Sequence, residues 1–98
     1  MLIRSYRDVG TRDIAAGTKS KRARRKLPVE LHERARIRLA FLNAAQSLDD
    51  LRGWPGLNLH ELRNERAGQY AIRINDQYRL CFEWKAPDAH WVEITDYH

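Results

Sequence analysis

Cysteine is all but missing from this chain: Cys81 stands alone among 98 residues, which rules out an internal disulfide. No two histidines or cysteines have the spacing of zinc ligands, so neither a structural metal nor a cofactor is expected. Long apolar runs are lacking too. None approaches a membrane span, and Arg4 and Arg7 are not followed by the apolar core of a signal peptide. Asp8 and Asp13 are out of character for a transit peptide. These absences predict a cytoplasmic protein with no membrane partner. With no internal repeat and no dividing linker, residues 1–98 are expected to form one domain around one modest core.

What the chain has in excess is positive charge, concentrated in one half. Residues 1–52 hold 13 Lys and Arg against 6 Asp and Glu, whereas residues 53–98 hold 5 against 7, so the halves carry +7 and −2. This asymmetry suits an anionic partner held by the first half, with nucleic acid the leading candidate. The densest run is 19–26, K-S-K-R-A-R-R-K, where Lys19, Lys21, Arg22, Arg24, Arg25 and Lys26 make six of eight residues basic. It reads as a solvated loop that engages phosphates when a large RNA is present.

Periodicity supplies the fold class. Residues 2–6 alternate like an edge strand, and 8–16 read as a short helix stopped by Gly17. Pro28 opens the main helix, whose apolar stripe is Leu31, Ala35, Leu39, Leu42 and Ala45, widened by Phe41 and Leu48. His32, Arg36 and Asn43 fall on its solvent side. Ser47 caps one last turn, and Trp54-Pro55-Gly56 ends the helical part. Residues 57–62 are the next strand candidate. After a polar turn, Tyr70, Ile72 and Ile74 alternate, as do Tyr78, Leu80, Phe82 and Trp84 beyond Asn75-Asp76-Gln77, and then Val92 and Ile94. The sum is an α+β domain: a largely antiparallel sheet with helices packed on one face.

The positions between the apolar ones carry the chemistry. Arg73 and Arg79 point away from the core. The register of 90–95 adds Trp91, Glu93, Thr95 and, if the strand continues, Tyr97 to the same face. Two cations and a phenol there make a phosphate site. An RNA strand carries its own nucleophile, the 2′-hydroxyl beside each phosphate, so cleavage takes a base, an acid and positive charge, with no metal. Arg73 and Arg79 suit the phosphate, His60 and His98 suit proton transfer, and Asp96 and Tyr97 stand beside them.

The run G-Q-Y-A-I-R-I-N-D-Q-Y-R-L-C-F-E-W, the preceding L-H-E-L-R-N-E-R and the terminal V-E-I-T-D-Y-H closely resemble the HigB branch of the RelE-type toxins of bacterial toxin-antitoxin pairs. The likeness is dense from about Leu57 onward and looser before it. It implies the RelE-like fold and an endoribonuclease, an mRNA interferase, that cuts mRNA in the decoding site of the ribosome and so inhibits translation. It also implies a HigA-like helix-turn-helix antitoxin that blocks the toxin and represses their operon, operator DNA being reached only through that antitoxin. L-H-E-L places His60 on a functional histidine of the family, Arg79 falls on its sheet arginine, and Asp96, Tyr97 and His98 on its catalytic end. Arg63 departs from the pattern, since relatives commonly carry lysine there. An arginine keeps the phosphate-binding charge but stays protonated and is a poor proton donor.

Each of these residues also has a plainer reading. From spacing alone His60 is a surface strand residue and His98 a fraying terminus. Arg79 is a cross-strand partner of Glu83 or Glu93, and Tyr97 a platform on which a base stacks. The same residues serve two other kinds of protein: a non-catalytic binder of RNA or antitoxin, and a decayed toxin kept only for operon repression.

Overall fold

In the computed structural model, which describes residues 1–96, four strands form one antiparallel sheet in sequence order. They are β1 (His60–Glu61), β2 (Gln69–Arg73), β3 (Tyr78–Lys85) and β4 (Asp88–Asp96). Short connections impose that order, because each strand turns back onto its predecessor. Asn75 shapes the β2–β3 turn: its side-chain oxygen accepts the backbone N–H groups of Gln77 at 2.9 Å and Tyr78 at 2.7 Å. The register that follows sets Ile72 against Leu80 and Arg73 against Arg79. Period two then sends Ile72, Ile74, Leu80, Phe82, Val92 and Ile94 to one face, each at most 1% exposed.

Helices cover that face: α1 (Val9–Ala15), α2 (Lys21–Lys26), α3 (His32–Ala44) and α4 (Leu48–Arg52). The expected helix over 8–16 is α1, with Gly17 past its end in the left-handed region at φ 75°. On the main helix, Ala35, Leu39 and Leu42 are buried as their spacing predicts, and so is Ala45 just beyond. Phe41 does not widen the stripe. It stays 36% exposed with its ring edge-on to Trp54, centroids 4.6 Å apart. Arg36 and Asn43 are exposed as expected, but His32 is not simply solvent-facing. His32 is half-buried and donates Nε2–H to the Leu27 carbonyl at 2.7 Å, and the Asn43 side chain accepts Ile3 N–H at 3.0 Å. Ser47 caps α4 as expected, accepting Asp50 N–H.

Residues 19–26 are not a loop. Lys21–Lys26 is helical, and its cap Ser20 accepts Ala23 N–H at 3.0 Å while donating to Asp13 at 2.6 Å. Ala23 is fully buried, and Gly10 lets α2 close on α1. A Cβ at Gly10 would lie 2.8 Å from the Arg22 carbonyl oxygen and 2.9 Å from Lys26 Cβ. A single buried alanine and one cap outweigh the surrounding charge, which remains solvated on the other side.

Two strand expectations also change. Of residues 57–62 only His60–Glu61 is a strand, because Asn58 takes a left-handed conformation at φ 49°. Leu57 and Leu62 still bond to β2, through Arg73 N–H at 2.6 Å and the Gln69 carbonyl at 2.9 Å. Residues 2–6 run parallel to β4 yet make only isolated bridges, Ile3 with Ala89 and Tyr6 with Val92. Between those bridges β4 bulges: Cys81 pairs with Glu93 but Glu83 pairs with His90, and Trp91 sits at φ 52°. Trp91 is therefore exposed by the bulge rather than by alternation, and its N–H bonds to Ser5 Oγ at 2.9 Å. Further along, the buried Thr11 hydroxyl accepts Ile94 N–H at 3.1 Å. The N-terminal segment and α1 thus occupy the outer edge of β4.

Candidate functional site

The face of the sheet turned away from the helices is laid out in rows. His60, Ala71, Cys81 and Glu93 are successive partners across the four strands, and the next row is Arg73, Arg79 and Thr95. Opposed residues and residues two apart on a strand lie roughly 5–7 Å from one another. The two guanidinium groups therefore form a close patch, with His60 one row and one strand from Arg73 on the same face.

The β2–β3 turn seats both arginines. Arg73 pairs with Asp76, and Arg79 Nη1 donates to the Asn75 carbonyl at 2.6 Å. Like charges directly opposite one another repel, and Asp76 offsets this. The hydrogen bond from Arg73 and its charge, with Arg79 further off, hold the Asp76 carboxyl below the usual carboxylate range. His60 is oriented by the same Asn58 that cuts β1 short. The Asn58 carbonyl can only accept, so His60 Nδ1 donates to it at 3.1 Å and Nε2 is the basic nitrogen of the neutral ring.

Beside this patch lies a cleft of about 370 Å³, walled by His60, Arg63, Asn64 and Arg66 and floored by Cys81 and Thr95. Its volume suits a group of nucleotide size. The floor is made of small side chains, Cys81 and Thr95, and Cys81, like Ala71 opposite it, is buried although it belongs to the face turned away from the core. Burial pushes the Cys81 thiol up, partly offset by the Thr95 hydroxyl alongside. Apart from that thiol, the buried hydroxyl has no hydrogen-bond partner among the described residues. Arg66 escaped the sequence reading. It bonds Glu93 at 3.0 Å and Gln69 at 2.9 Å, bridging the turn after β1 to β4. Its signal was faint, an arginine in an aperiodic turn whose partner lies 27 residues away.

The other expected residues divide. Asp96 sits opposite Tyr78, off the arginine face as alternation predicts, and accepts Gln77 Nε2–H at 3.1 Å. Tyr97 and His98 lie outside the described residues. Lys21, Arg22, Arg24 and Arg25 are exposed along α2, and Lys19 precedes its cap. They are not gathered into the arginine row. Lys26 pairs with Asp8 at 3.2 Å, the adjacent Arg7 reaches Glu93 at 3.8 Å, and Glu93 bonds Arg66, so charged contacts lead from α2 round the edge of β4 to the cleft. Among the described residues, no group of three or more His, Cys, Asp or Glu is placed to hold a metal ion, and no helix is long and apolar enough to cross a membrane.

Residues 17–98 match the family model described as the RelE-like toxin of the type II toxin-antitoxin system HigB. Over 60 residues, 61% of its length, the chain is 38% identical to Toxin HigB-1 of Vibrio cholerae and 32% identical to an uncharacterized protein of Haemophilus influenzae. The match spans 63% of the first relative and 59% of the second. Among solved structures, the YoeB/ParE toxin from Agrobacterium tumefaciens superposes over the whole of both chains with a TM-score of 0.57 at 9% identity. At that identity the likeness speaks for the fold alone, and it is the α+β fold expected from the sequence.

Proposed function

The chain belongs to the RelE-like toxins of HigB type II toxin-antitoxin systems, and from that premise we propose that it is an endoribonuclease of the bacterial cytoplasm. Its substrate in this reading is mRNA held in the ribosome, and its restraint is a HigA-like helix-turn-helix antitoxin. The observation that carries the reading is the arrangement of His60, Arg73 and Arg79 on adjacent strands, beside a cleft of nucleotide size.

In this reading Arg73 and Arg79 bind the oxygens of the scissile phosphate, where negative charge builds as the neighbouring 2′-hydroxyl attacks. One imidazole, His60 Nε2 or that of His98, takes the hydroxyl proton, and the other returns a proton to the departing 5′-oxygen. Tyr97 and Asp96 stand beside this step. The products are a 2′,3′-cyclic phosphate and a 5′-hydroxyl. Arg63 contributes charge, and the basic residues of α2 hold phosphates of a larger RNA. Few catalytic groups suffice if the ribosome presents the message in a reactive conformation.

Primer extension on a reporter message in a translating extract tests this, comparing the native protein, His98→Ala, Arg79→Ala, and the native protein with ribosomes omitted. Discrete cuts that require His98, Arg79 and ribosomes are expected. No cuts from native protein that still binds ribosomes would replace the nuclease with a non-catalytic binder or a decayed toxin.

A further inference from the structure

Helix α3 carries apolar residues on two sides. Ala35, Leu39 and Leu42 are buried in the core, but Ile37 and Phe41 are 39% and 36% exposed. They alternate with arginine: Arg34, Ile37, Arg38 and Phe41 follow i, i+3, i+4, i+7 spacing and so form one stripe. Trp54, half-buried, borders it through its edge-on contact with Phe41.

Among the described residues, the charges of this stripe are uncompensated. Elsewhere on α3, Arg36 pairs with Glu33. Arg34 and Arg38 have no ion-pair partner among the described residues, while Arg38 is half-buried and its Nε donates to the Arg73 carbonyl at 3.1 Å. Burial, then the nearby charges of Arg34 and Arg73, lowers the pKa of Arg38. A stripe that is both apolar and cationic, at helical spacing, complements a helix with apolar residues and carboxylates at the same spacing.

We propose that the Arg34, Ile37, Arg38 and Phe41 stripe is the docking surface for an acidic amphipathic helix of a partner protein and, resting on the function proposed above, that this partner is the antitoxin. RNA fits the stripe less well, since the aliphatic Ile37 offers a phosphate chain nothing and cannot stack as an aromatic does. A second copy of the chain fits worst, because a self-complementary contact would set arginine against arginine.

The experiment is calorimetric titration of the cognate antitoxin, produced from the same operon, into native protein, Arg34→Glu/Ile37→Glu and the milder Ile37→Ser. Thermal melts check that each variant is folded, and sedimentation checks self-association. Arg38 is left intact because it holds β2. The double variant is expected to lose on the order of 30-fold or more in affinity, and Ile37→Ser a smaller factor in the same direction. Both should cut the reporter message where native protein does. Unchanged antitoxin affinity in both folded variants overturns the proposal. So does loss of ribosome binding with antitoxin affinity intact, which assigns the stripe to RNA, or loss of self-association alone, which assigns it to a second copy. If native protein binds antitoxin through the stripe but cuts no message, the nuclease reading fails and the docking surface stands.

Discussion

The two faces of the sheet are built from the same strands and obey different rules. On the covered face, Ile72, Leu80, Phe82 and Ile94 are held by burial, and any apolar side chain of similar volume would serve nearly as well. On the other face, Arg73, Arg79 and His60 are held by specific atoms: the Asp76 carboxylate, the Asn75 carbonyl and the Asn58 carbonyl. Shape stabilises the first face and directed polar contacts organise the second. The difference teaches that stability and proposed function can be altered separately, except where the second face is itself buried, at Ala71 and Cys81.

The largest effect should separate the faces. Phe82→Ala removes a fully buried ring and is expected to cost about 3–5 kcal/mol in urea unfolding. Arg79→Ala should cost less, about 1–2 kcal/mol, as a half-buried cation losing its hydrogen bonds, that to the Asn75 carbonyl among them, yet abolish cleavage in the primer-extension assay. Equal stability losses would break the comparison. Next comes the exception. Ala71→Leu puts three carbons into a fully buried position on the cleft side, and about 1–3 kcal/mol of destabilisation is expected, with weakened RNA binding. A stability unchanged within error would mean that the face is more open than its burial indicates. The smallest effect is in pH dependence. Burial raises the folded pKa of Cys81, so an unfolded thiol, with a pKa of about 8.5, ionises while the native thiol stays protonated. The unfolded state then binds fewer protons, and stability present below that pH is lost as pH rises toward the folded value. The urea midpoint should fall between pH 7 and 10 more in native protein than in Cys81→Ala. Equal falls would remove Cys81 as the cause.

How well each residue could be read from sequence follows the range of the interaction that places it. Arg73 and Arg79 were legible because their neighbours in sequence, Ile72 and Ile74, and Tyr78 and Leu80, establish a period of two. His60 was legible through the family motif around it rather than through any period, since its strand is two residues long. Residues 19–26 misled because charge is visible in sequence and the contact of Gly10 with α2 is not. Trp91 is exposed, but not by alternation: the bulge sets His90, rather than Trp91, opposite Glu83.

The sequence by itself determined the α+β class, the helices ahead of the main antiparallel strands, the buried faces of α3 and the sheet, and the presence of two arginines on the face left over. These follow from local period and turn chemistry, which act between residues a few positions apart. Only the tertiary structure decided that Arg66 reaches Glu93, that Cys81 and Thr95 leave room for a cleft, that the N-terminal segment occupies the outer edge of β4, and that Arg34 and Arg38 find no ion-pair partner among the described residues. Each of those depends on which distant residues arrive at the same place, and on how much space and charge they leave there.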